Sequence, residues 1–217
     1  MAKLTGQQIA DANLTGWANL VGGLQTRIGT GDFATGLALV NAIAAAAEEQ
    51  DHHPDLDLRY AHVDVRLTSH DTGGITSRDV RLARTISTLA GAAGVELDSA
   101  SVSRLELAID SPAYPTILPF WAAALGLEPN GNTDVEDEVR DPADALPTVW
   151  FQPSGGEEPR QRWHPDLWIE PAQVQPRIDA ALAAGGTLVS DAEAPSFWVL
   201  SDPEGNLVCL CTWQDRT

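Results

Sequence analysis

Lysine is almost absent from this 217-residue chain, and cysteine, methionine and tyrosine are scarce. Lys3 stands beside twelve arginines, and these 13 basic residues face 31 acidic ones, which gives a net charge of −18. A surface this acidic repels phosphate backbones and anionic lipids. We therefore expect neither nucleic acid nor a membrane as a partner.

Long hydrophobic runs are also missing. The longest apolar stretch without a charge, residues 33–47, is too short and too rich in small residues to cross a bilayer. The start of the chain runs directly into a polar segment, so we expect no secretory signal. The only two cysteines, Cys209 and Cys211, are too close in sequence to favour a structural disulfide. These features together predict a cytoplasmic protein.

The two halves of the chain differ in composition. Four of the five histidines lie between residues 52 and 70, whereas six of the seven tryptophans follow residue 120. A stretch rich in glycine, alanine and serine, residues 91–103, separates these regions. Because 217 residues suffice for two small domains, we predict one domain over residues 1–98 and a second over residues 99–217.

The first half alternates between helical and extended patterns. A short helix is predicted at residues 5–12, followed by strands at 16–21 and 24–28. Asp32 is a suitable N-cap for a long helix that ends near Asp51, because Pro54 disfavours helical backbone before it. The apolar face predicted for this helix consists of Phe33, Leu37, Val40, Ala44 and Ala47.

A half-buried strand is predicted within residues 60–70, where the odd positions from Ala61 to Leu67 are apolar and the even positions polar. Thr76 and Asp79 then have the spacing of a capping box at the start of a final helix. Helices mixed with hairpin strands predict an α+β fold, with helices on one face of an antiparallel sheet.

The second half contains a faint internal repeat. A strand at 105–109 and a helix ending at Gly126 are echoed by a strand at 163–169 and a helix ending at Gly185. Further strands are predicted at 148–152, 197–200 and 207–213, with a hairpin turn over residues 202–206. This order predicts two paired βαβββ units. Since Pro115 and Pro119 disfavour helix, the first helix is predicted to begin near Leu118.

Histidines and carboxylates cluster after the long helix. Glu48 and His52 are four residues apart, so we predict that they share a face of its last turn. Imidazoles titrate near ~6.5 and can serve as both acid and base, which a reaction that removes water requires. Three histidines could instead bind zinc, but the side chains of adjacent histidines point in different directions, and the sequence offers no complete ligand set. His62 is expected to be a bystander.

The order Glu-x₃-His-His-Pro-x₅-Tyr-x₉-His-x₈-Asp is complete from Glu48 to Asp79. It resembles the signature of pterin-4a-carbinolamine dehydratases, and the pairs Gly16-Trp17 and Asp32-Phe33 also match that family. The resemblance covers residues 4–92. It implies dehydration of 4a-hydroxytetrahydropterin to quinonoid dihydropterin, without a metal or redox cofactor, in a homodimer or homotetramer.

The resemblance also implies roles for individual residues. His52, His53 and His70 would line the pterin pocket, with His52 and His70 transferring protons and His53 positioning the pterin or sharing that work. Glu48 and Asp51 would orient or charge the imidazoles. Two further residues each have two possible roles. Trp17 packs near the pterin or in the core, and Asp79 takes part in the site or only caps the start of its helix.

Residues 104–214 resemble a glyoxalase-type domain of the vicinal oxygen chelate superfamily. The resemblance is carried by Phe120-Trp121, Leu125-Gly126, His164-x-Asp166-Leu167 and Asp202-Pro-Glu-Gly-Asn206. Metal-dependent members place a ligand on each of four strands. Here Glu106 and His164 match the first and third positions, Gln152 lies near the second, and Cys209 replaces the usual fourth, acidic ligand. We expect no metal, with Glu106 and His164 as the weak candidates, and the tryptophans either line an apolar cup or fill the core.

Three functions follow from these patterns. The first is a pterin dehydratase with a glyoxalase-like accessory domain. The second is a non-catalytic binding or regulatory protein, which would not need the complete histidine set. The third is a bifunctional enzyme whose C-terminal cup performs lyase or dioxygenase chemistry.

Overall fold

The computed structural model describes residues 2–129, 137–154, 161–201, 203, 205 and 207–216, apart from the side chains of 120 and 123–125. The chain divides into two compact units. The first contains Met1–Ser103, Ile169–Pro171 and Trp213–Thr217, and the second contains Arg104–Trp168 and Ala172–Thr212. The first unit therefore includes segments from beyond residue 98, and the domain boundary near that residue stays a prediction.

The first unit combines three helices with five short strands among the described residues. In chain order they are α1 (Gly6–Asp11), β1 (Ala18–Leu20), β2 (Gly23–Gly29), α2 (Phe33–Gln50), β3 (Asp55–Leu58), β4 (His62–Leu67), α3 (Ser77–Ala92) and β5 (Leu97–Asp98). The strands form an antiparallel sheet in the order β1-β2-β4-β3, with β5 paired to β2. Apolar residues of α2, α3 and the sheet share one core, which confirms the α+β fold.

The long helix α2 has the predicted ends but not the predicted face. Asp32 accepts a hydrogen bond from the Thr35 amide at its start, and Asp51 ends it in a left-handed conformation. The predicted face was wrong for Phe33, Leu37 and Ala44, which are exposed, and right for Ala47, which is buried, and Val40, which packs against the core. The buried residues are Gly36, Leu39, Ile43 and Ala47, whereas Phe33 and Leu37 are 47% and 44% exposed. Alanine-rich helices are apolar on every side, so spacing alone does not select the buried face.

Gly36 explains why that particular face is buried. A Cβ added there would come within 2.7 Å of Leu58 Cδ1. The helix therefore approaches strand β3 more closely than any side chain would allow. Strand β3 itself, and the two-residue strand β5, were missed by the sequence analysis.

Two local predictions in this unit are confirmed. In β4 the side chains of Val63, Val65 and Leu67 are buried and the alternate positions are partly exposed. At the start of α3, Thr76 and Asp79 form a capping box, in which the side chain of each residue accepts a hydrogen bond from the backbone amide of the other. Both features depend on residues close together in sequence.

The second unit is an eight-stranded sheet, within the described residues, flanked by helices. Its elements are β6 (Ser103–Ser111), α4 (Tyr114–Leu125), β7 (Glu128–Pro129), β8 (Glu138–Arg140), β9 (Thr148–Pro153), β10 (Trp163–Ile169), α5 (Val174–Ala183), β11 (Thr187–Ser190), β12 (Phe197–Ser201) and β13 (Leu207–Cys211). A short 3₁₀ turn, Pro171–Gln173, precedes α5. The elements repeat as βαβββ twice, as predicted.

The strand order in this sheet is β11-β12-β13-β10-β6-β9-β8-β7. Strands β6 and β9 pair in parallel, as do β10 and β13, so each repeat has the same internal pairing. The prediction that α4 begins near Leu118 was wrong, because it begins at Tyr114 with Pro115 in its first turn and Pro119 inside. The first turn tolerates proline, since its amide hydrogens have no partner within the helix.

Three remaining expectations concern a hairpin turn, the two cysteines and membrane crossing. The predicted hairpin turn at 202–206 lies partly outside the described residues. Cys209 and Cys211 are both buried, and neither is in a disulfide. Over the part of the chain that the structure describes, the helices fall short of the length and apolar character that a membrane crossing requires.

Candidate functional site

His52 contacts Asp79 in the interior of the first unit. Its Nε2 lies 2.7 Å from Asp79 Oδ1, and the two side chains are 7% and 0% exposed. His52 lies beyond the end of α2, where its amide donates to the Ala47 carbonyl. An ionised carboxylate only accepts hydrogen bonds, so Nε2 donates and Nδ1 is the ring nitrogen left for proton exchange.

The carboxylate of Asp79 is held by several further donors. Its Oδ2 accepts from the Thr76 amide at 2.7 Å, from Ser69 Oγ at 2.7 Å and from Thr76 Oγ1 at 3.2 Å. Asp79 therefore serves as the helix-capping residue and as the partner of His52 at once. These bonds fix the orientation of the carboxylate against the imidazole.

Ser69 connects His70 to this network. Its backbone pairs with Gly74 in both directions, which closes the turn before α3. Since Ser69 also donates to Asp79, the residue next to His70 is held against the carboxylate that contacts His52. His70 itself is exposed at this turn. The sequence analysis did not identify Ser69, and no spacing rule would have found it.

Glu48 contacts His53 rather than His52. His53 Nε2 lies 3.1 Å from Glu48 Oε1, and these side chains are 57% and 78% exposed. The expectation that Glu48 and His52 share a helix face was wrong, because α2 ends at Gln50 and the left-handed Asp51 redirects the chain. Asp51 is exposed, and within the described residues no hydrogen bond or ion pair joins it to an imidazole.

Three other residues considered from the sequence have contacts or surroundings that do not involve the His52–Asp79 pair. Trp17 is 7% exposed in the core, and its Nε1 donates to Ser87 Oγ on α3 at 3.0 Å, which favours its packing role. Tyr60 is 76% exposed. His62 lies on β4, with Nε2 3.8 Å from Asp64 Oδ2.

A second group of polar side chains lies on one face of the second unit's sheet. Glu106 accepts from Trp168 Nε1 at 2.6 Å, and Asp166 accepts from Trp150 Nε1 at 3.0 Å. His164 lies between two carboxylates, with Nδ1 3.7 Å from Asp110 and Nε2 3.6 Å from Asp166. Burial raises the pKa of Glu106, against the lowering effect of the Trp168 hydrogen bond, and burial also raises the pKa of Asp110.

Of the four ligand positions implied for this unit, the structure brings together His164 and Cys209. Gln152 is exposed at the end of β9, and Glu106 is bound by the indole of Trp168. The ligand-type atoms of His164, Asp166 and Cys209 lie within 4.8 Å of one another. Asp166 was missed as a candidate ligand, although its spacing of two from His164 on a strand places both side chains on one face.

In this α+β unit a buried carboxylate orients the imidazole of His52. Two further imidazoles follow, His53 next to it in sequence and His70 in the turn before α3. Imidazoles can serve as both acid and base. A family model described as pterin 4 alpha carbinolamine dehydratase matches residues 2–89. The chain belongs to the pterin-4a-carbinolamine dehydratase family. A second model, described as a glyoxalase-like domain, matches residues 106–211, so the chain also carries a domain of that kind.

Two curated relatives each match about two fifths of the chain. A protein of Aquifex aeolicus named as a pterin-4-alpha-carbinolamine dehydratase is 46% identical over 77 residues, which cover 36% of this chain and 78% of the relative. One of Mycobacterium avium with the same name is 42% identical over 93 residues, or 42% of this chain and 99% of the relative. These relatives are therefore chains of about the length of the first unit.

Two solved structures are similar to separate parts of the chain. A transcriptional coactivator/pterin dehydratase from Brucella melitensis covers 42% of this chain and 100% of its own, at 31% identity and a TM-score of 0.40. A member of the glyoxalase/bleomycin resistance protein/dioxygenase superfamily from Vibrio splendidus covers 51% of this chain and 99% of its own, at 13% identity and a TM-score of 0.35.

Proposed function

We propose that the first unit dehydrates 4a-hydroxytetrahydropterin to quinonoid dihydropterin by acid–base catalysis with histidines. The observation that carries this proposal is the buried His52–Asp79 pair. Membership of the dehydratase family supplies the substrate class. No metal or redox cofactor is required, because the reaction transfers protons and expels water without a change of oxidation state.

The reaction needs one base and one acid at adjacent atoms of the substrate. The base removes the proton from N5, and its electron pair forms the N5=C4a double bond. The C4a–O bond breaks at the same time, and the acid protonates the departing hydroxyl to give water. One imidazole gains a proton and another loses one, so the enzyme returns to its starting state by proton exchange with solvent.

We assign the two proton transfers to His52 and His70, and a positioning role to His53. Asp79 holds Nε2 of His52, so Nδ1 is directed to the exchange of a proton with the substrate. His70 follows Ser69, which is bound to the same carboxylate, and it is accessible to solvent for renewal of its proton. His53 is paired with Glu48 at the surface, which suits contact with the pterin ring.

The proposal also covers the organisation of the chain. Residues 1–98 form the catalytic domain, and residues 99–217 form an accessory domain. The match of 93 residues to nearly the whole of a relative supports a self-contained first domain. The enzyme works in the cytoplasm as a homodimer or homotetramer, and its small-molecule partner is the pterin.

The test is a dehydration assay on the full chain. The 4a-carbinolamine of a tetrahydropterin is mixed with protein, and formation of the quinonoid dihydropterin is followed by its absorbance above the uncatalysed rate. We expect His52→Ala and His70→Ala each to lower kcat by about 100-fold or more, as loss of a positioned acid or base does. His62→Ala is the matched control, because it removes an imidazole from β4 outside the proposed site.

Circular dichroism and thermal melting of each variant separate loss of chemistry from loss of fold. Wild-type protein that does not accelerate dehydration would overturn the proposed function. Equal rates for wild type, His52→Ala and His70→Ala would keep the activity but overturn the histidine mechanism.

A further inference from the structure

We propose that the first unit binds a small aromatic cation in a cavity beside strand β1, with Glu170 as the ion-pair partner of the ligand. The cavity has a volume of about 310 Å³, which is at the lower end of the range for small-molecule sites. Its walls are formed by α1, the loop after α1, β1, β2 and two residues from late in the chain, Glu170 and Trp213. All of these residues belong to the first unit.

The cavity is separate from the proposed pterin site. None of the five histidines lines it. The dehydratase family model matches residues 2–89, so Glu170 and Trp213 lie outside that match. Binding of a cation here therefore does not depend on the proposed dehydration, and the family match does not supply the two late residues.

Glu170 is the one charged side chain among the described residues that line the cavity. It is partly buried, and no hydrogen bond or ion pair joins its carboxylate to another described residue. Burial raises the pKa of Glu170, because the ionised form is partly withdrawn from water. The cost of burying a carboxylate is normally offset by a cation or by hydrogen-bond donors. A cationic ligand would supply the missing partner.

Asn19 adds a polar group on the side of the sheet that faces the core. It pairs with Leu24 across β1 and β2, and paired residues of an antiparallel sheet point to the same face. Leu24 is buried in the core, so the side chain of Asn19 lies on the same side. Its carboxamide has no hydrogen-bond partner among the described residues. The amide oxygen is therefore available to accept from an N–H group of a ligand.

Two indoles give the cavity its aromatic walls. Trp213 packs closely against α1, because a Cβ added at Gly6 would come within 2.7 Å of Trp213 Cε3. Trp17 already donates its Nε1 hydrogen to Ser87 Oγ, so its ring offers the cavity a carbon surface. Aromatic faces attract cations and stack on flat rings. Two indoles together with one carboxylate favour a flat aromatic cation over a neutral or anionic ligand.

A metal ion suits this cavity less well than an organic cation. Ca²⁺ takes about six to eight oxygen ligands and Mg²⁺ about six, whereas the cavity has a single carboxylate. Zinc prefers imidazole and thiolate, and neither histidine nor cysteine lines the cavity. An aromatic amidinium would cover the apolar wall around Leu14 and Leu24, and its two N–H groups match the two oxygens of a carboxylate.

The experiment is a titration of the full chain with benzamidine, a flat aromatic amidinium, and in parallel with benzamide, its neutral counterpart. Calorimetry measures affinity, and the indole N–H resonances of ¹⁵N-labelled protein, assigned by single Trp→Phe substitutions, show where the ligand binds. We expect one saturable site for benzamidine with a Kd at or below about 1 mM, and at least about 10-fold weaker binding of benzamide.

The indole resonances distinguish this cavity from the polar face of the second unit. Those of Trp17 and Trp213 should shift on addition of benzamidine. Those of Trp150 and Trp168 should not, because these indoles donate to carboxylates of the second unit. Shifts of Trp150 and Trp168 in place of Trp17 and Trp213 would overturn the cavity as the binding site, as would folded protein without saturable binding.

Glu170→Gln removes the charge and keeps the shape of the side chain. We expect it to weaken benzamidine binding by about 10-fold or more, as loss of a charge-assisted hydrogen bond does. Glu96→Gln is the matched control, because Glu96 is an exposed glutamate of the same unit that does not line the cavity. Circular dichroism and thermal melting confirm that both variants are folded.

Equal benzamidine affinity in wild type and Glu170→Gln would overturn the ion pair, because a general attraction of cations to the acidic surface would give that result. Equal affinity of wild type for benzamidine and benzamide would also overturn it. Since dehydration is not measured in this experiment, failure of the proposed function would leave these outcomes unchanged.

Discussion

Asp79 joins the first turn of α3 to His52: one carboxylate oxygen accepts from the Thr76 amide and Ser69 Oγ, and the other lies 2.7 Å from His52 Nε2. The same side chain therefore caps a helix and orients an imidazole. The sequence left open whether Asp79 takes part in the site or only caps the helix, and the structure shows that one side chain makes both sets of contacts. Stability and proposed chemistry are coupled through this one residue, and substitutions can separate them.

Replacement of Asp79 by asparagine should impair the proposed reaction more than the fold. The amide still accepts one capping bond, but it no longer offers a negative charge to His52. We expect kcat to fall by about 100-fold, because His52 loses the carboxylate that accepts from its Nε2 and so fixes the orientation and tautomer of its ring. Steady-state dehydration rates measure the fall in kcat, and urea denaturation measures the change in the free energy of unfolding.

Thr76→Ala is the matched control for this substitution. It removes the N-cap hydroxyl of α3, and with it the longest bond to Asp79 Oδ2, but the Thr76 amide and Ser69 still hold the carboxylate and the Asp79–His52 contact stays in place. Loss of an N-cap side chain costs about 1 kcal/mol, so the free energy of unfolding should fall while kcat of the folded protein is nearly unchanged. If both variants lost activity only in proportion to stability, Asp79 would have a purely structural role.

The exposed pair of Glu48 and His53 should behave differently. Exposed ion pairs contribute only about 0–1 kcal/mol, so Glu48→Gln should change the free energy of unfolding little. If His53 positions the pterin, loss of its partner should raise KM and leave kcat nearly unchanged, because ground-state and transition-state binding are weakened together. A fall in kcat comparable to that of Asp79→Asn would place Glu48 in the chemistry instead.

Local features of the first unit could be predicted from the sequence, and non-local ones could not. The alternation of β4 and the capping box of Thr76 and Asp79 depend on neighbours in the chain. The contact of His52 with Asp79 joins residues 27 positions apart, and it depends on how α2 and α3 pack. Strand β3 was missed because its four residues, Asp-Leu-Asp-Leu, gain order mainly from pairing with β4.

The face of α2 can be tested by two aliphatic truncations on the same helix. Ile43 is fully buried and Leu37 is 44% exposed. We expect Ile43→Ala to lower the free energy of unfolding by about 2–5 kcal/mol, as in other large-to-small core substitutions. Leu37→Ala should cost less than about 1 kcal/mol, since nearly half of its surface is already in water and it is not part of the core. Equal losses in urea denaturation would contradict the observed burial.

In the second unit the sequence predicted the repeat, but it did not predict which ligand-type side chains lie together. The two βαβββ units follow from similar strand and helix patterns about 60 residues apart in the sequence. The set of His164, Asp166 and Cys209 depends on the pairing of β10 with β13, which links the start and the end of the second repeat. Sequence spacing alone places His164 and Asp166 on one face, but it does not show which strand lies opposite.

The buried carboxyl group of Glu106 should make the second unit less stable as pH rises. Burial raises its pKa in the folded protein above the ordinary value of 4.5, and the nearby charges of Glu138 and Asp166 act in the same direction. Between the unfolded and folded pKa values the folded state binds more protons, so the free energy of unfolding falls as pH rises through that window. Above the folded pKa the loss is complete and constant.

Glu106→Gln removes this ionisation and keeps an oxygen that accepts from Trp168 Nε1. The stability of the variant relative to wild type should therefore increase as pH rises from the ordinary carboxyl range to the raised pKa of Glu106, and then level off. Urea denaturation followed by tryptophan fluorescence measures this difference, because five of the seven tryptophans belong to the second unit. A constant difference across that range would mean that Glu106 ionises in the folded protein as readily as in the unfolded chain.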